Sequence, residues 1–457
     1  MSKKENADVV VVGGGTGGCY AAAAVAREGL DVVLIERKTE DEAGHIACGD
    51  ALKGSDAFPN AIPIERVEES FTNTGVDHGR FEFPDGDSLD IPIPGELAVI
   101  DRWEYGNILL EEAEKAGVDI HYETVVNGVI QDDDGKVEGV RAKHDGEVVE
   151  YHADLTIDAA GALSVLQDDL DASNSTFDTD VSYSQFCSAY REVIEVDEPV
   201  DWDDALVFKP VEISAGYLWY FPRTPTEINA GLGFQMNEEP MELVEVLRDD
   251  LEERDEFENA EVKDKLGAAL PTRRPYDSAV ADGFIAVGDA AGHVNPTTGG
   301  GISTAAFAGQ YAGEKAVEAI ENEDVSEESL WGYNVDVMDE FGARYATLDV
   351  YNIFVTAYDT DEIISLLSSL PGDKISEALY EGKTSIPLTL KLRMAISSFG
   401  HWDTVYSFYK AKKSAEKVLD HYEEYPESRD GFEDWQEERD SLLDDVYETT
   451  GAEPKYS

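Results

Sequence analysis

The sequence predicts an α/β protein in which a parallel, nucleotide-binding sheet is interrupted by an antiparallel sheet and followed by helices. Three observations predict it. Two apolar runs, Val9–Val12 and Val32–Ile35, flank a glycine-rich turn and an alanine-rich stretch. A second unit of strand, glycine cluster and helix, Phe284 to Gly309, follows much later in the chain. Between them, from about Leu163 to Leu270, apolar residues alternate over long stretches.

The first unit spans Asp8 to Arg37. Four consecutive valines, β-branched and apolar, suit a strand buried on both faces of a parallel sheet. Gly13, Gly15 and Gly18 then stand in the spacing Gly-x-Gly-x-x-Gly, and Glu36 closes the next strand. Gly13 permits the tight turn, Gly15 lets a pyrophosphate approach the main chain, and Gly18 lets the helix pack close to the strand. Unpaired N–H groups and the dipole at the helix start favour the phosphates. An acid about 20 residues past the turn is placed to bind ribose hydroxyls. The unit reads as a Rossmann-like site for an adenine dinucleotide.

The remaining elements follow in order. Lys38 to Gly54 is punctuated by glycine and rich in small residues, like a loop lying against a ligand. Phe58 to Pro94, with its prolines and the alternating Arg80-Phe81-Glu82-Phe83, leaves the first domain. The chain returns at Val99 to Arg102 with a helix whose apolar positions include Ile108, Leu109 and Ala113, and then a strand. Two strands follow at the turn Asp132 to Gly135, Val137 to Lys143 and then a second running from Glu147 into the small-residue turn Asp158-Ala159-Ala160-Gly161. Ala205 to Phe208 and Gly216 to Pro222 read as antiparallel strands, with Met241 to Arg254 as a helix laid on them. Beyond Gly301 helix follows helix.

The second unit decides the cofactor. Its buried strand ends at Gly288-Asp289, and the cluster Gly299 to Gly301 starts a helix. Asp289 can accept hydrogen bonds from a ribityl or ribose hydroxyl, and the helix N-terminus can neutralise negative charge on a reduced isoalloxazine. A simple nicotinamide dehydrogenase needs only the first glycine turn, so a second site in the same domain indicates FAD. His293 sits in the same turn as a candidate turn residue.

Bulk composition narrows the partners. The 457 residues carry 35 basic and 98 acidic side chains, a net charge of −63. Nucleic acid is excluded as a partner, since phosphate binding needs basic patches. The acids are dispersed over the whole length, which reads as a surface adapted to salty cytoplasm, where self-repulsion is screened. Three cysteines, Cys19, Cys48 and Cys187, are too few for a disulfide framework and too scattered for a zinc site or a four-cysteine cluster; no metal is expected. The N-terminus lacks an apolar signal segment and no run of 18 apolar residues occurs, so the expected location is the cytoplasm.

The motif Gly13 to Glu36, the Arg102 helix, the Asp158 to Gly161 turn and Gly288-Asp289 with Asn295-Pro296 and Gly299 to Ile302 resemble the FAD fold of para-hydroxybenzoate hydroxylase and its relatives. The loop Ala47-Cys48-Gly49-Asp50 and the run Tyr217-x-Trp219-x-Phe221-Pro222, followed by Gly231-x-Gly233, resemble one branch, the geranylgeranyl reductase family, in particular archaeal digeranylgeranylglycerophospholipid reductases. The likeness covers residues 8 to 310. Ala47 stands where that family has proline, and Asp50 where it has glycine. The expected architecture is a discontinuous FAD domain (1–60, 96–165, 275–325), a sheet domain for an isoprenoid substrate (61–95, 166–274) and a helical C-terminal domain (326–457).

Motif and resemblance together give the candidate cofactor-binding set: Gly13, Gly15, Thr16, Gly17, Gly18, Glu36, Arg37, Ala47, Cys48, Gly49, Arg102, Val126, Asp289, Gly300, Gly301 and Ile302. Tyr217, Trp219 and Phe221 share one face of a strand, because side chains alternate. They are either core aromatics or an apolar wall for an isoprenoid chain. Cys48 is the candidate catalytic residue, as proton donor or as a shaper of the site, with His45 as its possible partner or a plain loop residue. Arg102 is set either for a cofactor phosphate or ribose or for a surface salt bridge.

The resemblance implies saturation of geranylgeranyl double bonds in archaeal ether lipids by hydride from reduced FAD. An aromatic hydroxylase of the same fold, a quinone oxidoreductase and a flavin-bearing lipid carrier are the alternatives. The chain shows no second complete dinucleotide motif, leaving NAD(P)H or ferredoxin as external reductant. Lipid headgroups lie at the membrane, so peripheral contact through Phe399, Trp402, Tyr406 and Tyr409 is expected.

Overall fold

The computed structural model describes residues 3–53, 58–83, 86–93, 95–178, 185–211, 216–236, 240–358, 360–368, 371–377 and 402–454. Its centre is a six-stranded sheet in the order Val280–Ala281, Phe284–Ala286, Leu155–Asp158, Val9–Val12, Val32–Ile35 and Asp119–His121. All of its pairings are parallel except the one at the Val280–Ala281 edge. The four valines are buried on both faces, as a central parallel strand requires.

The glycine turn leads into the helix Thr16–Arg27, which packs on a second alanine-rich helix, Ile302–Glu321. A side chain at Gly309 would stand 2.3 Å from the Gly17 carbonyl oxygen, and one at Gly313 would stand 2.6 Å from Ala24. The small-residue content of both helices is therefore a packing requirement.

The second sheet has seven strands, in the order Glu261–Pro271, Phe186–Glu195, Glu227–Gln235, Gly216–Pro222, Ala205–Pro210, His78–Glu82 and Ser88–Pro92. It is mixed, where the sequence pattern predicts antiparallel pairing throughout: Ala205–Pro210 and His78–Glu82 run parallel. Alternation reports which residues share a face and carries no information on the direction of a partner brought in from more than a hundred residues away. The helix Pro240–Glu253 covers one face through Leu243 and Leu247. The other face holds Trp219 and Phe221 in an apolar cluster with Val76, Ile93, Leu97, Val99 and Leu206.

Two smaller sheets complete the body. The stretch from Glu147, expected as a single strand, is two strands in different sheets: Glu147–His152 pairs within a four-stranded sheet, and Leu155–Asp158 enters the parallel one. The break falls at Ala153-Asp154, where both residues leave the ladder and hydrogen-bond elsewhere. The N-terminal residues Lys3–Asn6 form a strand beside Glu147–His152. A three-stranded sheet, Ala51–Lys53, Leu97–Ile100 and Phe71–Asn73, lies where the Cys48 loop meets the seven-stranded sheet.

The helices Trp402–Tyr422 and Phe432–Thr450 are tied to the nucleotide fold through one buried carboxylate. Asp277 accepts hydrogen bonds from Arg274 (Nη2, 2.8 Å), Tyr422 (2.6 Å) and Arg439. Burial would raise that carboxyl, but Arg274 and Arg439 beside it hold it well below the usual carboxylate range. Among the described residues no helix is long and apolar enough to cross a membrane.

Candidate active site

The glycine cradle is built from main chain. Gly13 adopts φ +106, and a Cβ there would stand 2.3 Å from the Ala159 carbonyl oxygen. A Cβ at Gly18 would stand 2.0 Å from the Gly13 carbonyl oxygen. Gly15 differs: no atom lies within 4 Å of the place its Cβ would occupy. That open space fronts the N-terminus of a twelve-residue helix whose first turn has no side-chain cap, which suits a pyrophosphate. Thr16 and Gly17 are buried in the first turn of the helix. Glu36 is buried at the strand end, where its carboxylate accepts the N–H groups of Gly14 and Lys38, both at 2.9 Å. Arg37 points outward, and Val126 is buried on the strand Thr124–Gln131, whose first residue donates its N–H to the Glu36 carbonyl.

Opposite the cradle, Gly301 precedes the long helix Ile302–Glu321, again without a side-chain cap. Asp289 sits beside that N-terminus, its Oδ1 3.7 Å from the Cβ position of Gly301. Burial pushes its carboxyl up to about 6, while the charge of Arg102 pulls the other way. Arg102 is itself buried, lies 4.8 Å over the ring of Tyr105 and has an Nη1 without a hydrogen-bond partner. The surface salt bridge is thereby set aside, because a buried guanidinium with a free donor is costly unless a ligand takes it. His293 holds the turn: its Nδ1 accepts the Gly288 N–H at 3.1 Å, and burial pushes the ring down to about 3, so it stays neutral.

An open cradle at one helix start, an uncapped second helix start, a half-buried acid and a buried guanidinium with an unpartnered Nη1 fit the parts of FAD: pyrophosphate, isoalloxazine edge, ribityl hydroxyl and phosphate or ribose.

The Cys48 turn lies against the aromatic strand. A Cβ at Gly49 would stand 3.1 Å from the Phe221 ring and 3.5 Å from the Trp219 Nε1. Burial pushes the half-buried Cys48 thiol up, with Asp50 adding to the effect, so the sulfur keeps its proton at neutral pH. The Asp50 N–H donates to the Cys48 sulfur at 3.2 Å. His45 is not its partner: the imidazole Nε2 pairs with Asp264 at 2.8 Å and its ring stacks on Trp103. A residue three positions away in a turn that reverses the chain faces a different wall.

The aromatic triad divides. Trp219 and Phe221 are buried in the apolar cluster, and the Trp219 indole lies over Gly231, whose Cβ would stand 2.2 Å from the ring. Tyr217 is half-buried and donates to the Thr298 carbonyl at 2.7 Å, touching the loop before Gly299 to Gly301. The aromatic strand thus meets both loops expected to hold the flavin.

Sequence reasoning missed three residues here. Asp50, fully buried, receives Arg223 through Nε (2.8 Å) and Nη2 (2.7 Å) and Asn229 through Nδ2 (2.5 Å), all on Oδ2. Asp50 also adopts φ +69, the left-handed conformation that glycine takes without strain, at the position where the resembling family has glycine. That departure was the available signal; Arg223 and Asn229 left none.

Residues 6–334 match the family model described as FAD binding domain. A digeranylgeranylglycerophospholipid reductase of Methanococcoides burtonii is 30% identical over 368 residues, covering 78% of this chain and 86% of that protein. The chain belongs to this reductase family. The reductase of Sulfolobus acidocaldarius is 28% identical over 447 residues, covering 95% of this chain and 97% of its own. A geranylgeranyl bacteriochlorophyll reductase-like protein of Thermoplasma acidophilum superposes with a TM-score of 0.74 at 25% identity, over 89% of this chain and all of that one. The flavin-dependent brominase Bmp2, at 18% identity and a TM-score of 0.60, shares the fold. The family's FAD-binding character agrees with the donors and open space described above. Phe399 and the side chain of Trp402 lie outside the described residues.

Proposed function

We propose that this chain is an FAD-dependent reductase that saturates the double bonds of geranylgeranyl chains in archaeal ether phospholipids. The observation that carries the reading is the seating of the Cys48 turn on the aromatic strand, with Gly49 in van der Waals reach of Phe221 and Trp219. FAD, when bound, supplies the hydride. The residues of the chain do the rest.

Gly15 and the helix start behind it take the pyrophosphate, with Thr16, Gly17 and Gly18 forming the turn; Glu36 takes the ribose. Arg102 offers its free Nη1 to a phosphate or ribose oxygen, and Asp289 accepts a ribityl hydroxyl. Gly300, Gly301 and Ile302 present an uncapped helix start to negative charge at the flavin edge. Cys48, kept as a thiol by burial, gives its proton to the less substituted carbon of the double bond. Positive charge then develops on the more substituted carbon, which receives the hydride, and solvent returns a proton to the sulfur. The apolar cluster around Trp219 and Phe221 excludes water and holds the chain, at about 0.8 kcal/mol for each buried methylene.

The reductant is external, a nicotinamide or a ferredoxin. Contact with the membrane runs through the helix Trp402–Tyr422, where Tyr406 and Tyr409 are exposed. Lys410 and Lys413 lie 4.9 Å over their rings, pairing aromatic and cationic groups as interfacial segments do.

Anaerobic mixing of the reduced protein with an unsaturated archaeol phospholipid tests the reading. Mass spectrometry should show successive gains of two hydrogens while the flavin absorbance recovers. Protein that neither retains nor binds FAD, or that yields a hydroxylated product with oxygen uptake, would sink it.

A further inference from the structure

The turn that carries Cys48 is fastened to the seven-stranded sheet at both ends, by different carboxylates. At its C-terminal end Asp50 grips the sheet through Arg223 and Asn229. Asn229 is shared: its amide also donates to the Cys48 carbonyl at 2.9 Å, and its Oδ1 accepts the Trp219 indole N–H at 2.9 Å. The backbone of Cys48 and the orientation of Trp219 are therefore set by one amide. Arg223 reaches on toward Asp101, which caps the Arg102 helix. At the N-terminal end, Asp264 on the edge strand takes His45 at 2.8 Å and the buried Arg191 at 2.5 Å. Arg191 and Trp219 lie on the two strands that flank Glu227–Gln235, and each is paired with Gly231.

Packing does not demand the Asp50 carboxylate. A non-glycine residue at positive φ is strained, and burying a charge is costly unless it is paired. Among the described residues, Oδ1 of Asp50 has no hydrogen-bond partner. Glycine at this position would avoid the strain and the orphaned oxygen, though it would take from Arg223 its closest counter-charge. What the carboxylate adds is a rigid link between a loop and a sheet.

We propose that Asp50 and Asp264 are positioning residues that fasten opposite ends of the Cys48 turn to the substrate sheet and so fix the position of the thiol. The catalytic consequence rests on the reductase reading; the restraint on the thiol does not. A displacement of the order of 1 Å at a reacting group costs about a hundredfold in rate, so a clamp at each end is a direct means of holding kcat.

The test uses the full-length FAD-loaded protein and two readouts. Asp50→Gly, which keeps the backbone conformation, should speed alkylation of Cys48 by iodoacetamide about tenfold and lower kcat about tenfold to a hundredfold. KM and FAD content should stay near wild type, while melting temperature falls, since Arg223 is left buried with only Glu227 and Asp101 beside it. Peptide mass mapping identifies the alkylated cysteine, and Cys19 and Cys187 are buried. Asp264→Asn, at a less buried site, should do the same more weakly. The double variant should lose more than the product of the singles, because either clamp alone still restrains the turn. Unchanged alkylation in all three variants would overturn the proposal. So would a loss of activity matched by an equal loss of flavin. If lipid reduction itself failed in the wild type, the alkylation differences would still stand or fall alone.

Discussion

The parallel sheet offers its ligand mostly main chain, in the form of a glycine turn and two uncapped helix starts, whereas the seven-stranded sheet meets the same centre mostly with side chains, Trp219, Phe221, Asn229 and Arg223. Main chain cannot be repacked, so the first region tolerates almost no added atom. Side chains can shift and share partners, so the second should lose function in graded steps. On the proposed function, the first binds a constant cofactor and the second shapes what is reduced.

The contrast can be pushed hardest at the glycines. Gly13→Ala and Gly18→Ala place a Cβ 2.3 and 2.0 Å from carbonyl oxygens that belong to rigid elements, and should cost roughly 4 kcal/mol or more, read as loss of soluble, yellow protein. Gly15→Ala meets open space and should fold normally while losing FAD affinity at least about tenfold, an interaction worth at least about 1.4 kcal/mol. Equal damage from all three would break the comparison.

Asp277 is the place where a side-chain network serves the nucleotide fold. Asp277→Asn leaves Arg274 and Arg439 buried without their counter-charge and should cost about 3–5 kcal/mol, measured by chemical denaturation. Because the folded carboxyl lies below its ordinary value, its stabilisation is present above the unfolded value near 3.9 and is lost as pH falls further. The variant should therefore show a shallower acid limb than wild type below about pH 4.

On the substrate sheet, Trp219→Phe keeps an aromatic ring but leaves Asn229 Oδ1 without its donor. A penalty of about 1–3 kcal/mol is expected, appearing in kcat and thiol accessibility with FAD content unchanged. The smallest effect concerns Asp289, whose carboxyl lies at about 6. If a cofactor hydroxyl prefers the ionised form, FAD affinity should weaken as pH falls below that value, by up to about tenfold per unit. Asp289→Asn should flatten the profile, as followed by flavin fluorescence.

Local spacing was enough to find the cradle, the helix at Ile302 and the strand that carries Tyr217, Trp219 and Phe221, because each depends on neighbours in the chain: a turn that needs glycine, a period of two, an acid at a strand end. The same reasoning left open whether Arg102 was buried and whether His45 was the partner of Cys48 or a loop residue. His45 lies three residues from the thiol yet bonds Asp264, 219 positions away. Asp50 could be seen only as a departure from glycine, and its partners Arg223 and Asn229 lie 173 and 179 residues on.

Read alone, the chain specified its dinucleotide fold, the glycine turn that starts its second long helix and its reductase kinship, since these rest on steric needs and residue types that are local. Folding decided which charges are buried, which carboxylate each arginine meets, and that the cysteine turn rests on the tryptophan strand. Those outcomes depend on long-range closure of one sheet against a loop of the other, and a low-dielectric contact of that kind leaves no periodic mark on the residues that make it.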